Sequence, residues 1–289
     1  TPEQLYSKDV TVRDVVCDGN HRQGMSVIST ENLLVERSIF SNTIGSAPMA
    51  GIDFEPNNER QRLANIVVRH CLFLDNSQLG MHVWLSNLSS SSEPVSILWA
   101  YNYVRGGEVG IHVATIKDDG PKGIVRFEDN FVEGTQHAGI LLRQISAKGD
   151  LQVEFARNRL LHTARRGPYD QASINFYRER SKLDDPGMWW RPKCPSAPIV
   201  MTAQRSTITR QGGVSFDGDL VIHDRDEPVV IVGGPWVAHK EMFGADGEAI
   251  PDPFQGWSRI SGTIKVINPH GAVMDVQTPQ DDFTLQLTP

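Results

Sequence analysis

The 289-residue chain has little that would cross-link it or carry it into a membrane. Its three cysteines, Cys17, Cys71 and Cys194, are an odd number, far apart, with no CxxC pair. That pattern argues against a disulfide framework or a zinc site and reads as structural thiols. No stretch approaches the roughly 18–20 apolar residues of a membrane helix, and the first residues hold no basic-then-apolar leader. Cationic surplus is missing too: the formal net charge is −7, so nucleic acid is not an expected partner. With 39% hydrophobic residues the chain reads as one folded domain over 1–289 rather than a disordered one. Its abrupt opening at Thr1, with no segment to cover a first repeat, reads as a mature or truncated form.

What is present is a repeat. Gly24, Gly51, Gly80, Gly110 and Gly139 lie 27, 29, 30 and 29 residues apart, and each opens a short alternating run. The pairs Met25/Val27, Ile52/Phe54, Met81/Val83, Ile111/Val113 and Ile140/Leu142 are apolar throughout, as strand side chains facing one shared core must be. Two further segments, Ala172–Tyr177 and Gly212–Asp217, fit the same pattern after longer gaps that read as insertions. A second column, Asp14, Ser38, Cys71, Asn102, Asn130 and Asn158, places a small polar residue at a bend in each repeat. It predicts a hydrogen-bonded ladder along the axis, with Asn taking the left-handed conformation a sharp bend needs.

Repeats of this length that bury a common core imply an all-β solenoid, a right-handed parallel β-helix of about seven or more coils. Regular coils are expected over residues 9–218 and irregular terminal coils and loops over 219–289. The connections 56–64, 86–94, 116–122, 145–150 and 179–197 are expected to wall one face.

The outward residues of the glycine-led strands then form a grid. One column reads Ser26, Asp53, His82, His112, Leu141, Asn175, Ser215, and its neighbour Ile28, Glu55, Trp84, Ala114, Arg143, Tyr177, Asp217. A merely solvated face would be Thr, Ser, Lys and Glu; this one gathers carboxylates, stacked histidines and aromatics. Asp53 and Glu55, two residues apart on a strand, are expected roughly 6–7 Å apart. That falls between the carboxylate separations of retaining and inverting glycosidases. Asp53, Glu55, His82 and His112 are the catalytic candidates, because neighbouring carboxylates and imidazoles push each other's pKa values apart. Trp84, Trp189 and Trp190 offer flat rings for sugar faces, and Arg143, Asn175, Tyr177 and Arg178 complete the substrate-binding set.

The run Gly51-Ile52-Asp53-Phe54-Glu55-Pro56, followed by Asn65–Asn76, resembles the pectate-lyase-like superfamily of right-handed β-helix proteins. Its Gly-Ile-Asp portion is similar to that of polygalacturonase-type hydrolases, and Asp53, His82, Arg143 and Tyr177 are similar in kind to the set that alginate lyases and epimerases use. The resemblance implies a secreted or periplasmic carbohydrate-active protein. Three readings follow: a glycoside hydrolase on a poly- or oligosaccharide; a uronic-acid lyase or C5-epimerase, with Arg143 or a calcium ion on Asp53 and Glu55 neutralising the substrate carboxylate; and a non-catalytic glycan-binding β-helix. No cofactor or metal is required by the first, and no membrane partner by any.

Overall fold

The computed structural model describes residues 6–115, 119–146, 149–166, 196–203, 211–235, 256–276 and 282–289. These residues form strands and connections with no helix among them. The strands come in threes. The first triplet is β1 (Ser7–Arg13), β2 (Val16–Asp18) and β3 (Gln23–Val27); the second is β4 (Thr30–Glu36), β5 (Ile39–Ser41) and β6 (Ala50–Phe54). Then follow β7 (Leu63–Arg69), β8 (Leu72–Leu74) and β9 (Leu79–Trp84), and β10 (Val95–Ala100), β11 (Tyr103–Arg105) and β12 (Val109–Ala114). The next are β13 (Gly123–Glu128), β14 (Phe131–Glu133) and β15 (Ala138–Arg143), and β16 (Leu151–Ala156), β17 (Arg159–Leu161) and β18 (Ile199–Ala203). The chain ends in β19 (Gln211–Ile222), β20 (Val230–Pro235), β21 (Trp257–Ile267), β22 (Met274–Val276) and β23 (Phe283–Thr288).

Every strand pairs in parallel with its counterpart in the next triplet. Parallel neighbours cannot be joined by a tight turn, and here the two other strands of the triplet make the crossover. The members β3, β6, β9, β12, β15, β18, β20 and β22 form an eight-stranded sheet. The first and second members of each triplet form two ladders. The twelve-residue β19 pairs with both β16 and β17 and so joins the ladders into one sheet, of fifteen strands with β21 and β23 included.

Alternation puts Ile52, Phe54, Met81, Val83, Ile111, Val113, Ile140 and Leu142 into one buried core with the inner residues of the larger sheet. Equivalent aromatics stack there from triplet to triplet: Trp99, Phe127, Phe155 and Phe216 are 6.2, 5.2 and 5.1 Å apart by ring centroid. The glycine column has a steric cause. A Cβ on Gly51 would meet Phe73 Cδ1 at 2.5 Å and Gly80 O at 2.8 Å; on Gly80 it would meet Val104 Cγ1 at 2.6 Å. The second ladder thus packs directly against the start of each glycine-led strand, where no side chain fits.

The polar ladder forms. The Asn102, Asn130 and Asn158 side chains each accept from the backbone N–H one triplet back, at Cys71, Asn102 and Asn130, 3.0–3.1 Å away. Each also donates from Nδ2 to a core-strand carbonyl, at Val68, Trp99 and Phe127. Asp219 ends the row by accepting from Asn158 N and Nδ2 at 2.8 and 2.7 Å.

Two expectations about the bend change. The left-handed residue is the one before the ladder position: Asp14, Arg37, His70, Tyr101, Asp129 and Arg157 have φ between 49° and 56°. Asp14 therefore belongs to that exposed row, paired with Arg37, and Val15 N–H meets Ser38 Oγ in the ladder.

The repeat assignment changes after residue 143. The strand that pairs with β15 is β18, a run of Ile, Val and Met with no glycine, so Val200 and Thr202 follow Leu141 and Arg143 in the two columns. Gly212–Asp217 lies in β19 of the other sheet, with Val214 opposite Val153. Ser215 and Asp217 are thereby removed from the grid. Strand pairing continues well past residue 218, through Thr288.

Candidate active site

Strand register sets the site. Ser26, Asp53, His82, His112 and Leu141 are direct cross-strand partners on the outer face of the eight-stranded sheet, as are Trp84, Ala114 and Arg143. Outward residues of such a sheet are normally wet, yet Asp53 is 0%, His82 5% and His112 3% exposed. Beyond them the column turns apolar, and Leu141, Val200 and Ile231 are buried in a second hydrophobic cluster with Ala50, Leu79, Val109 and Ala138.

The polar members touch in series. Asp53 Oδ1 lies 3.0 Å from His82 Nδ1, an ion-pair distance, though off the axis of a linear hydrogen bond. His82 stacks on His112 with centroids 4.8 Å apart, and Trp84 meets both rings at 6.0 and 6.2 Å. The Arg143 guanidinium sits 4.8 Å above the Trp84 ring. One face of Trp84 is therefore taken by a cation, so the ring is a support for Arg143 rather than the open sugar platform expected of it.

Asp53 and Glu55 act on each other's ionisation. Their environments separate them. Burial alone would raise Asp53, but the His82 imidazole beside it outweighs that and holds the carboxyl below its ordinary value. Glu55 is raised, first by burial and then by the charge of Asp53, against a smaller opposing pull from Arg22. Of the two, Glu55 is the readier to hold a proton, and its side chain is 28% exposed. Burial, then His82 and Arg143, push His112 well below its ordinary value, so that ring is neutral.

A cavity of about 210 Å³ opens over this chain of groups, lined by Arg22, Ala47, Pro48, Glu55, Gln78, Leu79, His82, Trp84, His112 and Arg143. Asp53 lies beneath it rather than in its wall. Arg22 and Gln78 are functional positions that the grid missed. Arg22 Nη2 bonds Glu55 Oε2 at 3.1 Å, and its Nε bonds Ala47 O at 2.9 Å. Both sit one residue before the first strand residue, in a column with Met49 and Glu108, and the carbonyls of this column start the next pairing. Reading the repeat two places ahead of each glycine would have found them. Asn175, Tyr177, Arg178, Trp189 and Trp190 lie outside the described residues.

No residue of the connections 56–64 and 86–94, expected to wall the site, lines this cavity; Ala47 and Pro48, ahead of β6, do instead. Asn87 Nδ2 donates to Pro56 O at 3.0 Å and Ser92 Oγ to Glu59 O at 2.8 Å, so the loops after β6 and β9 stack as the strands do. A larger cavity of about 660 Å³ lies along the ends of β8, β11, β14 and β17. Around it Arg105 pairs with Asp75, Tyr103 Oη bonds Glu133 and Arg225 Nη2 bonds the Arg165 carbonyl. Among the described residues no group of three or more His, Cys, Asp and Glu is arranged to hold a metal ion. Glu55 is committed to Arg22, far from the six to eight oxygens calcium takes.

Comparisons with protein-family models, with curated proteins and with solved structures find no match to this chain.

Proposed function

We propose that the chain is a right-handed parallel β-helix of the pectate-lyase-like kind and a carbohydrate-active enzyme, in first reading a glycoside hydrolase acting on a poly- or oligosaccharide. The observation that carries this is the set of groups at one small cavity: Glu55 held by Arg22 in its lining, His82 in its wall, and the Asp53 carboxylate 3.0 Å from that imidazole. Glu55 is the general acid that protonates the leaving oxygen. His82 is the base that takes a proton from the attacking water, and Asp53, too buried to touch substrate, is a positioning residue that holds the imidazole and keeps the proton on Glu55. Arg22 and Arg143 orient the sugar from either side.

A uronic-acid lyase or epimerase is the second reading, and Asp53's burial is what favours it. Without an accessible second carboxylate, the site resembles a paired base and acid more than two carboxylates flanking a bond. In that case His82 abstracts the C5 proton, and Arg143 or Arg22 faces the uronate.

The test is a polysaccharide panel with wild type and Glu55→Gln, following reducing ends and unsaturated product together. The expected result is new reducing ends without unsaturation, lost by about 10²–10⁴-fold in the variant. Unsaturated product selects the second reading. Full activity in Glu55→Gln, or binding of glycans without any cleavage, refutes both.

A further inference from the structure

His112 has no place in the acid–base scheme above, yet it is built into the wall of the cavity. It is 3% exposed, and neither ring nitrogen has a hydrogen-bond partner among the described residues. A buried donor and acceptor left unmatched destabilise the empty protein. The neighbouring place in the same column shows what packing alone would select, since His112 pairs with Leu141, which lies in the buried apolar cluster with Val200 and Ile231. The groups facing the ring are His82, stacked at 4.8 Å, Trp84 at 6.2 Å and the cation of Arg143, and none of these contacts gives either nitrogen a hydrogen-bond partner.

We propose that the cavity is a subsite for a single sugar ring and that His112 reads one hydroxyl of that sugar, an inference that rests on the glycan reading above. A volume of about 210 Å³ is below the ~300–1,000 Å³ of pockets for larger ligands, which restricts the site to one ring at a time. An imidazole carries one N–H donor and one bare nitrogen acceptor, the complement of a hydroxyl's acceptor and donor. Burial beside Arg143 and His82 keeps the ring in that uncharged form. The two stacked histidines thereby divide the work: His82, against Asp53, moves a proton, and His112 selects.

The test uses the full chain and His112→Leu, which extends the Leu141 cluster by one residue, with His112→Gln as a variant that keeps a donor and an acceptor. At pH 7 without sugar, His112→Leu should melt higher than wild type. Isothermal titration with glucose, galactose, mannose, glucuronate and galacturonate should find a monosaccharide that wild type binds. His112→Leu should bind it about tenfold more weakly, and His112→Gln within a few-fold of wild type. A lower melting temperature for His112→Leu makes the ring a structural residue and overturns the proposal, as does equal affinity in all three proteins or no binding by wild type. Because binding is read without turnover, an affinity contrast with no glycan cleavage supports the subsite while the cleavage reading falls.

Discussion

Asp219 terminates the asparagine ladder with a carboxylate where every earlier place carries an amide or a smaller group. Its folded-state pKa is raised from the ordinary 3.8 to about 6, because burial outweighs the bonds it accepts from Asn158 and Asp217. A raised carboxyl binds its proton more tightly in the folded than in the unfolded chain. Its contribution is therefore most favourable below pH 3.8 and is lost as pH rises through 6. At 1.36 kcal/mol per pH unit the loss is ~3 kcal/mol, fully developed by pH 7. Asp219→Asn removes the ionisation while keeping an oxygen for Asn158 N and Nδ2. By the repeat, the new Nδ2 is expected to donate to Phe155 O, as Asn158 donates to Phe127 O and Asn130 to Trp99 O. The variant gives up the Asp217 N–H bond to Oδ2 at 3.2 Å, worth about 1 kcal/mol. The expected net gain is ~2 kcal/mol at pH 7, or several degrees of melting temperature for a domain of this size. Below pH 4 the advantage should vanish or reverse. Melting curves of both proteins from pH 4 to 8 check this. A difference that does not change with pH, or an Asp219→Asn protein less stable at pH 7, refutes the reasoning.

Two further outcomes are expected. Asp53→Asn takes the carboxylate from His82 and the charge that raises Glu55, so turnover should fall about 10²-fold or more; the alkaline limb of the pH–rate profile should move to lower pH, and a limb that stays in place would mean Glu55 owes nothing to Asp53. Gly80→Ala should cost about 1–3 kcal/mol by overpacking, since its Cβ would fall 2.6 Å from Val104 Cγ1 and 2.7 Å from the Gly110 carbonyl, and an unchanged melting temperature would count against the close approach of the second ladder.

The core and the first five places of the outward column were legible because strand periodicity is strict: a residue that faces inward at Ile52 forces Asp53 outward, whatever lies elsewhere. The asparagine column was legible for a similar reason, since each amide bonds only to neighbouring triplets. The sixth strand was not. Glycine marks a glycine-led strand only where the second ladder presses on it, and Ile199–Ala203 joins β15 without one, while Gly212–Phe216 imitates the pattern in another sheet. Nor could alternation reveal that Asp53 is sealed from solvent, that Trp84 carries Arg143, or that Arg22 reaches Glu55, because these depend on side-chain reach and on connections rather than on period.

The long strand β19 alters how the molecule comes apart. Up to β17, each triplet holds its two ladders through separate short strands, so a triplet lost from the Ser7 end opens one small set of hydrogen bonds at a time. At β19 a single unbroken strand is bonded to β16, β17 and β21 together, across a bulge between Asp217 and Asp219. Separating the strands after β19 from those before it must breach both ladders in one event, which makes β19 a mechanical latch between those strands and the triplets that hold Asp53, His82 and His112.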